Sequence, residues 1–129
     1  MQAPTKLISY LLSVIVTSAL TACASSPSST FDNKAEKLGF SRTSLKTELF
    51  DLAVFSKPSA RAADRVHIYI EGDGKPFLRN VYVNSDPTST SALILKLASQ
   101  DNANAIVLGR ACYHNVSARN CQDLSLIHI

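Results

Sequence analysis

The stretch from Val66 to Gly109 constrains the fold more than any other part of this chain. It begins with Val66-His67-Ile68-Tyr69-Ile70, β-branched and aromatic, and stops sharply at Glu71-Gly72-Asp73-Gly74, which is the composition and punctuation of a strand. Its near-continuous apolar character predicts burial on both faces, as in a parallel sheet, and His67 reads as a packed strand residue rather than a catalyst. Asp86-Pro87 predicts a helix start, with Asp86 as N-cap and Pro87 at the first helical position. Ala92, Leu93, Ile94, Leu95, Leu97 and Ala98 follow, interrupted only by Lys96, so the helix is expected to be largely buried and to end near Gln100-Asp101-Asn102. Ala105-Ile106-Val107-Leu108-Gly109 is a second short buried strand. Strand, loop, helix and strand make a βαβ unit, which requires a parallel pair and a right-handed crossover. The predicted fold class is α/β. Upstream, imperfect alternation from Leu45 to Phe55 predicts one or two further strands.

The chain opens with one basic side chain, Lys6, and an uncharged apolar run of about 14 residues from Leu7 to Leu20. As a helix that run is roughly 21 Å long, short of the ~20 residues that span a bilayer, and it has the build of a signal peptide. Leu20-Thr21-Ala22-Cys23 resembles the bacterial lipobox, in which the cysteine sulfur takes a diacylglycerol and cleavage follows before it. Residues 1–22 are therefore expected to be a lipoprotein signal peptide and Cys23 the lipidated residue; the alternative is an ordinary secretory signal with a chance cysteine. Two or three acyl chains hold a protein to a membrane durably without a helix. Ala24 stands where an aspartate signals inner-membrane retention, so the resemblance implies the outer membrane, with the protein facing the periplasm. Ser-rich sequence with Pro27 and Asp32 follows, and residues 23–37 read as the lipidated cysteine and a flexible tether.

Of the 13 basic residues Lys6 lies in the leader, leaving 12 against 10 acidic residues and a net +2, too little to argue for nucleic acid as a partner. The apolar content still suffices for a core. Two cysteines remain, Cys112 and Cys121, and an oxidising periplasm favours their pairing in a disulfide. Closing so short a loop is worth very roughly 2–3 kcal/mol. A metal site from Cys112, His114 and Cys121 is the competing reading, chemically suitable but without a fourth ligand at a recognisable spacing. No cofactor is implied.

The loop Glu71-Gly72-Asp73-Gly74-Lys75-Pro76-Phe77 has two glycines at a strand end. A dinucleotide fingerprint needs a third glycine and an immediate helix, and has neither. A plain surface turn and an oxyanion-hole loop remain, the latter using backbone N–H groups to stabilise a tetrahedral intermediate.

The string Ile68-Tyr69-Ile70-Glu71-Gly72-Asp73-Gly74, then Asp86-Pro87-Thr88 and the apolar helix, then Leu108-Gly109-Arg110-Ala111-Cys112-Tyr113, resembles the amino-terminal part of a family of bacterial α/β-hydrolase lipoproteins. The likeness runs from about Gly39 to Cys121 and departs at Ala111, where the family has proline. It implies a partial α/β-hydrolase-like sheet over residues 38–123. Val66 to Ile70 would be its third strand, Ala105 to Leu108 its fourth, and the amides of Asp73 and Gly74 its oxyanion-hole candidates. It further implies a serine ester or amide hydrolase acting on a small substrate. That chemistry needs a Gly-x-Ser-x-Gly elbow and a later acid and histidine. The four glycines, Gly39, Gly72, Gly74 and Gly109, include no two that are four apart. His114 and His128 precede any elbow. No catalytic residue is therefore assigned, and the chain itself is expected to be inactive. The final Leu124-Ser125-Leu126-Ile127-His128-Ile129 reads as translated adapter sequence, against a genuine short strand or helix start. The competing functional class is a non-enzymatic envelope lipoprotein that binds a ligand or partner through the same loop. Growth with a labelled fatty acid is expected to label the chain at Cys23; a Cys23→Ala protein that still takes up label overturns the anchor.

Overall fold

The computed structural model describes residues 25–59 and 64–116. The leader, Cys23, Cys121 and the last six residues lie outside them. The eight elements are α1 (Pro27–Lys37), β1 (Ser41–Lys46), β2 (Asp51–Lys57), β3 (Val66–Ile70), β4 (Phe77–Leu78), β5 (Tyr82–Val83), α2 (Leu93–Ser99) and β6 (Asn104–Leu108). Four strands form a mixed sheet in the order β1-β2-β6-β3, and β4 and β5 form a separate small hairpin. β1 and β2 are antiparallel, from Ser41 opposite Ser56 to Lys46 opposite Asp51. β2 runs antiparallel to β6 and β3 parallel to it, Ile68 lying opposite Ile106. The fold is broadly α/β, and the parallel pair expected from the strand–helix–strand pattern is present.

The first helix corrects the tether reading. Ser26 caps it, its side chain accepting from the Ser29 amide at 3.1 Å, and Pro27 sits in the first turn, where a missing N–H costs nothing. Phe31 and Ala35, four residues apart, fall on one face and are buried with Phe40, Phe55, Leu95 and Val107 in the core. A Ser-rich segment that looked too polar to bury anything thus supplies the largest apolar side chain of the helix side.

The second helix is shorter than expected. It begins at Leu93 after Ala92, which adopts a left-handed φ of +50° with no side-chain cap. Asp86 caps nothing there. Its carboxylate instead accepts the Ser28 amide at 2.8 Å and the Ser28 hydroxyl at 2.7 Å, and Pro87 gives its carbonyl to the Lys75 amide at 2.8 Å. These long-range bonds hold residues 86–88 in a non-helical course. Nor is α2 buried all round: Leu95 and Ala98 face the core, whereas Leu93 and Leu97 are 61% and 54% exposed.

Both helices contribute to one core on a single face of the sheet, against Ala53, Phe55, Ala105 and Val107. The opposite face carries Leu52, Val54, Ile106 and Leu108, half-buried, and Val66, Ile68 and Ile70, which are exposed. The expectation that β3 is buried on both faces is therefore wrong: among the described residues β3 is an edge strand with one neighbour, and its apolar row is open. Among the described residues no helix is long and apolar enough to cross a membrane.

Burial alone pushes the Asp86 carboxyl up, but hydrogen bonds from Ser28 and Thr88 outweigh it and hold the group below the ordinary aspartate range. A folded-state value depressed in this way contributes stability above the unfolded value and loses it as pH falls through the folded one. Urea unfolding from about pH 7 downward should show Asp86→Asn less stable than the parent, with the gap closing below about pH 4. A gap that stays constant in acid contradicts this account.

Candidate functional site

The ends of the two parallel strands meet at one place. β3 finishes at Ile70, and the Glu71 amide adds one more rung by donating to the Leu108 carbonyl at 3.0 Å. Glu71 is turned inward and 5% exposed. A buried carboxylate needs a partner, and Glu71 finds it 43 residues on, where its Oε2 meets Nε2 of the fully buried His114.

His114 is fixed from every side. Its ring lies edge-on between Phe31, 4.6 Å away, and Phe55, 5.3 Å away. Its amide donates to the Thr88 hydroxyl at 2.8 Å, and its carbonyl accepts from Arg42 at 2.5 Å. Thr88 in turn lies 3.1 Å from the Ser28 hydroxyl, which is bonded to Asp86. A Cβ on Gly109 would stand 2.7 Å from Cδ2 of His114 and 3.2 Å from the Ala53 carbonyl, so only glycine fits under the ring. Oε1 of Glu71 and Nδ1 of His114 are buried and have no hydrogen-bond partner among the described residues.

The loop that follows Glu71 is held at both sides and left open in the middle. The carboxylate of Asp73 pairs with Arg110, and its carbonyl accepts from the Tyr113 hydroxyl at 2.6 Å. Arg110 stacks over the Tyr113 ring at 5.5 Å. Burial pushes the Tyr113 hydroxyl up despite the opposing pull of Arg110, so at neutral pH it stays protonated and donates. Gly74 has φ +53°, and a Cβ there would lie 2.1 Å from the Pro87 carbonyl oxygen. Among the described residues nothing accepts from the amides of Gly72, Asp73 and Gly74. Residues 72–74 line a cleft of about 300 Å³ together with Phe31, Ala92, Leu93, Ile94 and Leu97.

Asp73 and Gly74, the two residues singled out from the sequence, thus lie together at this cleft. Glu71, His114, Thr88, Ser28 and Asp86 were missed as a site. The one available signal was a glutamate directly after an apolar strand, which implies a buried acid in want of a partner. His67 lies at the other end of the sheet and is not packed: its half-exposed side chain pairs with Asp101 at 2.5 Å. Asp101 is held far below the ordinary range by the Ala103 amide, the Tyr69 hydroxyl and His67. Cys112 lies in the segment that leaves β6, and Cys23 and Cys121 lie outside the described residues. Among the described residues no three side chains are grouped to hold a metal ion.

Removing one member of a buried, hydrogen-bonded pair leaves the other uncompensated, at about 3–5 kcal/mol. His114→Ala should cost that much in urea unfolding, and the double variant His114→Ala, Glu71→Leu should recover part of it. A double variant as unstable as the two single losses combined overturns the coupling. No protein-family model matches the chain, and no curated protein or solved structure is similar to it.

Proposed function

We propose that this chain is the lipid-anchored amino-terminal part of an α/β-hydrolase-like domain, facing the periplasm from the outer membrane. Its intact relative would hydrolyse a small ester or amide by serine acyl transfer. The observation that carries the reading is the loop after β3, where the consecutive amides of Gly72, Asp73 and Gly74 have no acceptor among the described residues and these residues line a cleft. In hydrolases of this class one oxyanion-hole amide comes from the loop after the third strand. The strand order β1-β2-β6-β3, with β3 parallel to β6, supports taking β3 as that third strand and β6 as the fourth.

In this reading the substrate carbonyl oxygen lies against the amides of Asp73 and Gly74. As a nucleophile attacks, the oxygen gains negative charge, and amides already fixed in place stabilise it without reorganising. Glu71 and His114 hold the loop's base; the Arg110–Asp73 pair and the Tyr113 hydroxyl hold its tip. Nucleophile, base and acid come from residues other than these, since the sequence contains no Gly-x-Ser-x-Gly. Cys23 supplies the anchor. Cys112 and Cys121 pair in the disulfide, closing the loop that leaves β6. The absence of the elbow is also what favours the second reading, a lipoprotein that binds a ligand at this loop and does no chemistry.

Beyond residue 123 the gene is expected to encode the elbow and a late histidine, and its whole product to hydrolyse a p-nitrophenyl ester. In that product Asp73→Pro, which deletes one amide N–H, should lower kcat by about 10²–10³-fold, while Asp73→Ala, which keeps the N–H and loses only the pair with Arg110, should lower it far less. A whole product with no elbow, or Asp73→Pro with the parent kcat, overturns the hydrolase reading and favours the binding one.

A further inference from the structure

The walls of the cleft say what kind of acyl group it would admit. Every charged side chain that borders it is already committed: Glu71 to His114, and Asp73 to Arg110. The two serines on its rim, Ser89 and Ser91, have their hydroxyls 3.0 Å apart and partner each other. No lysine or arginine lines it, so nothing there would neutralise a charged substituent, and burying an unpaired charge is costly. What remains is apolar: Phe31, Ala92, Ile94, and the exposed flanks of Leu93 and Leu97.

Resting on the proposed hydrolase reading, we infer that this cleft takes the acyl group of the ester or amide and that this group is uncharged and apolar. The carbonyl oxygen lies on the amides of residues 72–74, and the chain runs along Leu93 and Leu97. The two leucines explain themselves on the same terms: an acyl chain would cover apolar helix surface that the fold leaves in solvent.

The test uses the full chain, labelled with ¹⁵N and with ¹³C in leucine methyls, and needs no turnover. It is titrated with N-methylamides of two-, four-, six-, eight- and twelve-carbon acids, and with an eight-carbon amide bearing a terminal carboxylate. Affinity should rise about two- to fourfold per methylene and level off once the chain outgrows the cleft, with the amides of residues 72–74 and the methyls of Leu93 and Leu97 shifting together. The carboxylated ligand should bind at least about tenfold more weakly, since its charge would be desolvated without a partner. Leu93→Ser and Leu97→Ser, both at exposed positions that leave the core intact, should flatten the dependence on length.

Affinity independent of length, or equal binding of the carboxylated ligand, overturns the inference and leaves the oxyanion reading standing. Leucine methyls that respond while the amides of residues 72–74 do not overturn the oxyanion reading itself. No response to any ligand overturns both.

Discussion

A single run of buried polar groups ties the two ends of the described fold together. Asp86 binds the first turn of α1 through Ser28, Ser28 lies against Thr88, Thr88 accepts from the His114 amide, and His114 meets Glu71. Each of these groups is buried, and each would be expensive to leave unpaired. The run therefore permits one placement of α1 relative to the strand ends. It also accounts for features that look unrelated in the sequence: glycine at 109 under the imidazole, a non-helical course at residues 86–88, and Phe31 and Phe55 flanking a histidine ring. A buried acid–histidine pair contributes geometry more than net stability, because desolvation consumes much of the Coulombic gain. What it secures here is the root of the loop at residues 71–74.

That loop owes its openness to the sheet's one-sided packing. Parallel strands are ordinarily covered on both faces, but here both helices pack on one, and among the described residues β3 has a neighbour on one side only. The loop leaving β3 is consequently bounded by α2 and by the segment after β6, and by no further strand among the described residues. Ion pairing at Asp73, the Tyr113 hydrogen bond and the left-handed Gly74 hold it in shape. The three amides between these anchors are left for something else to use.

The strands of the βαβ unit were legible because their signal is local. Val66–Ile70 is bounded as the β-branched run predicts, and β6 differs from its expected limits by one residue at each end. Helices were read less well, for two different reasons. In α1 the serines that suggested a tether are partly structural: Ser26 caps the helix and Ser28 is buried against Asp86, while Phe31 and Ala35 form an apolar stripe too narrow to outweigh the surrounding polarity. In α2 the Asp86-Pro87 start signal was sound as local chemistry but was outbid by Ser28, 58 residues earlier.

The sequence by itself determined the alternation of strand and helix, the loop with two glycines at a strand end, and the resemblances attached to Cys23 and to the string around Gly74, since each rests on neighbouring residues. Only the tertiary structure decided which helix residues face the core, that both helices pack on one face of the sheet, and that Glu71 is paired with His114. The physical reason is distance along the chain. A buried carboxylate demands a partner, but nothing local says which of the three histidines will provide it. That choice is made when β3 and β6 align in parallel and bring the ends of both strands to one point.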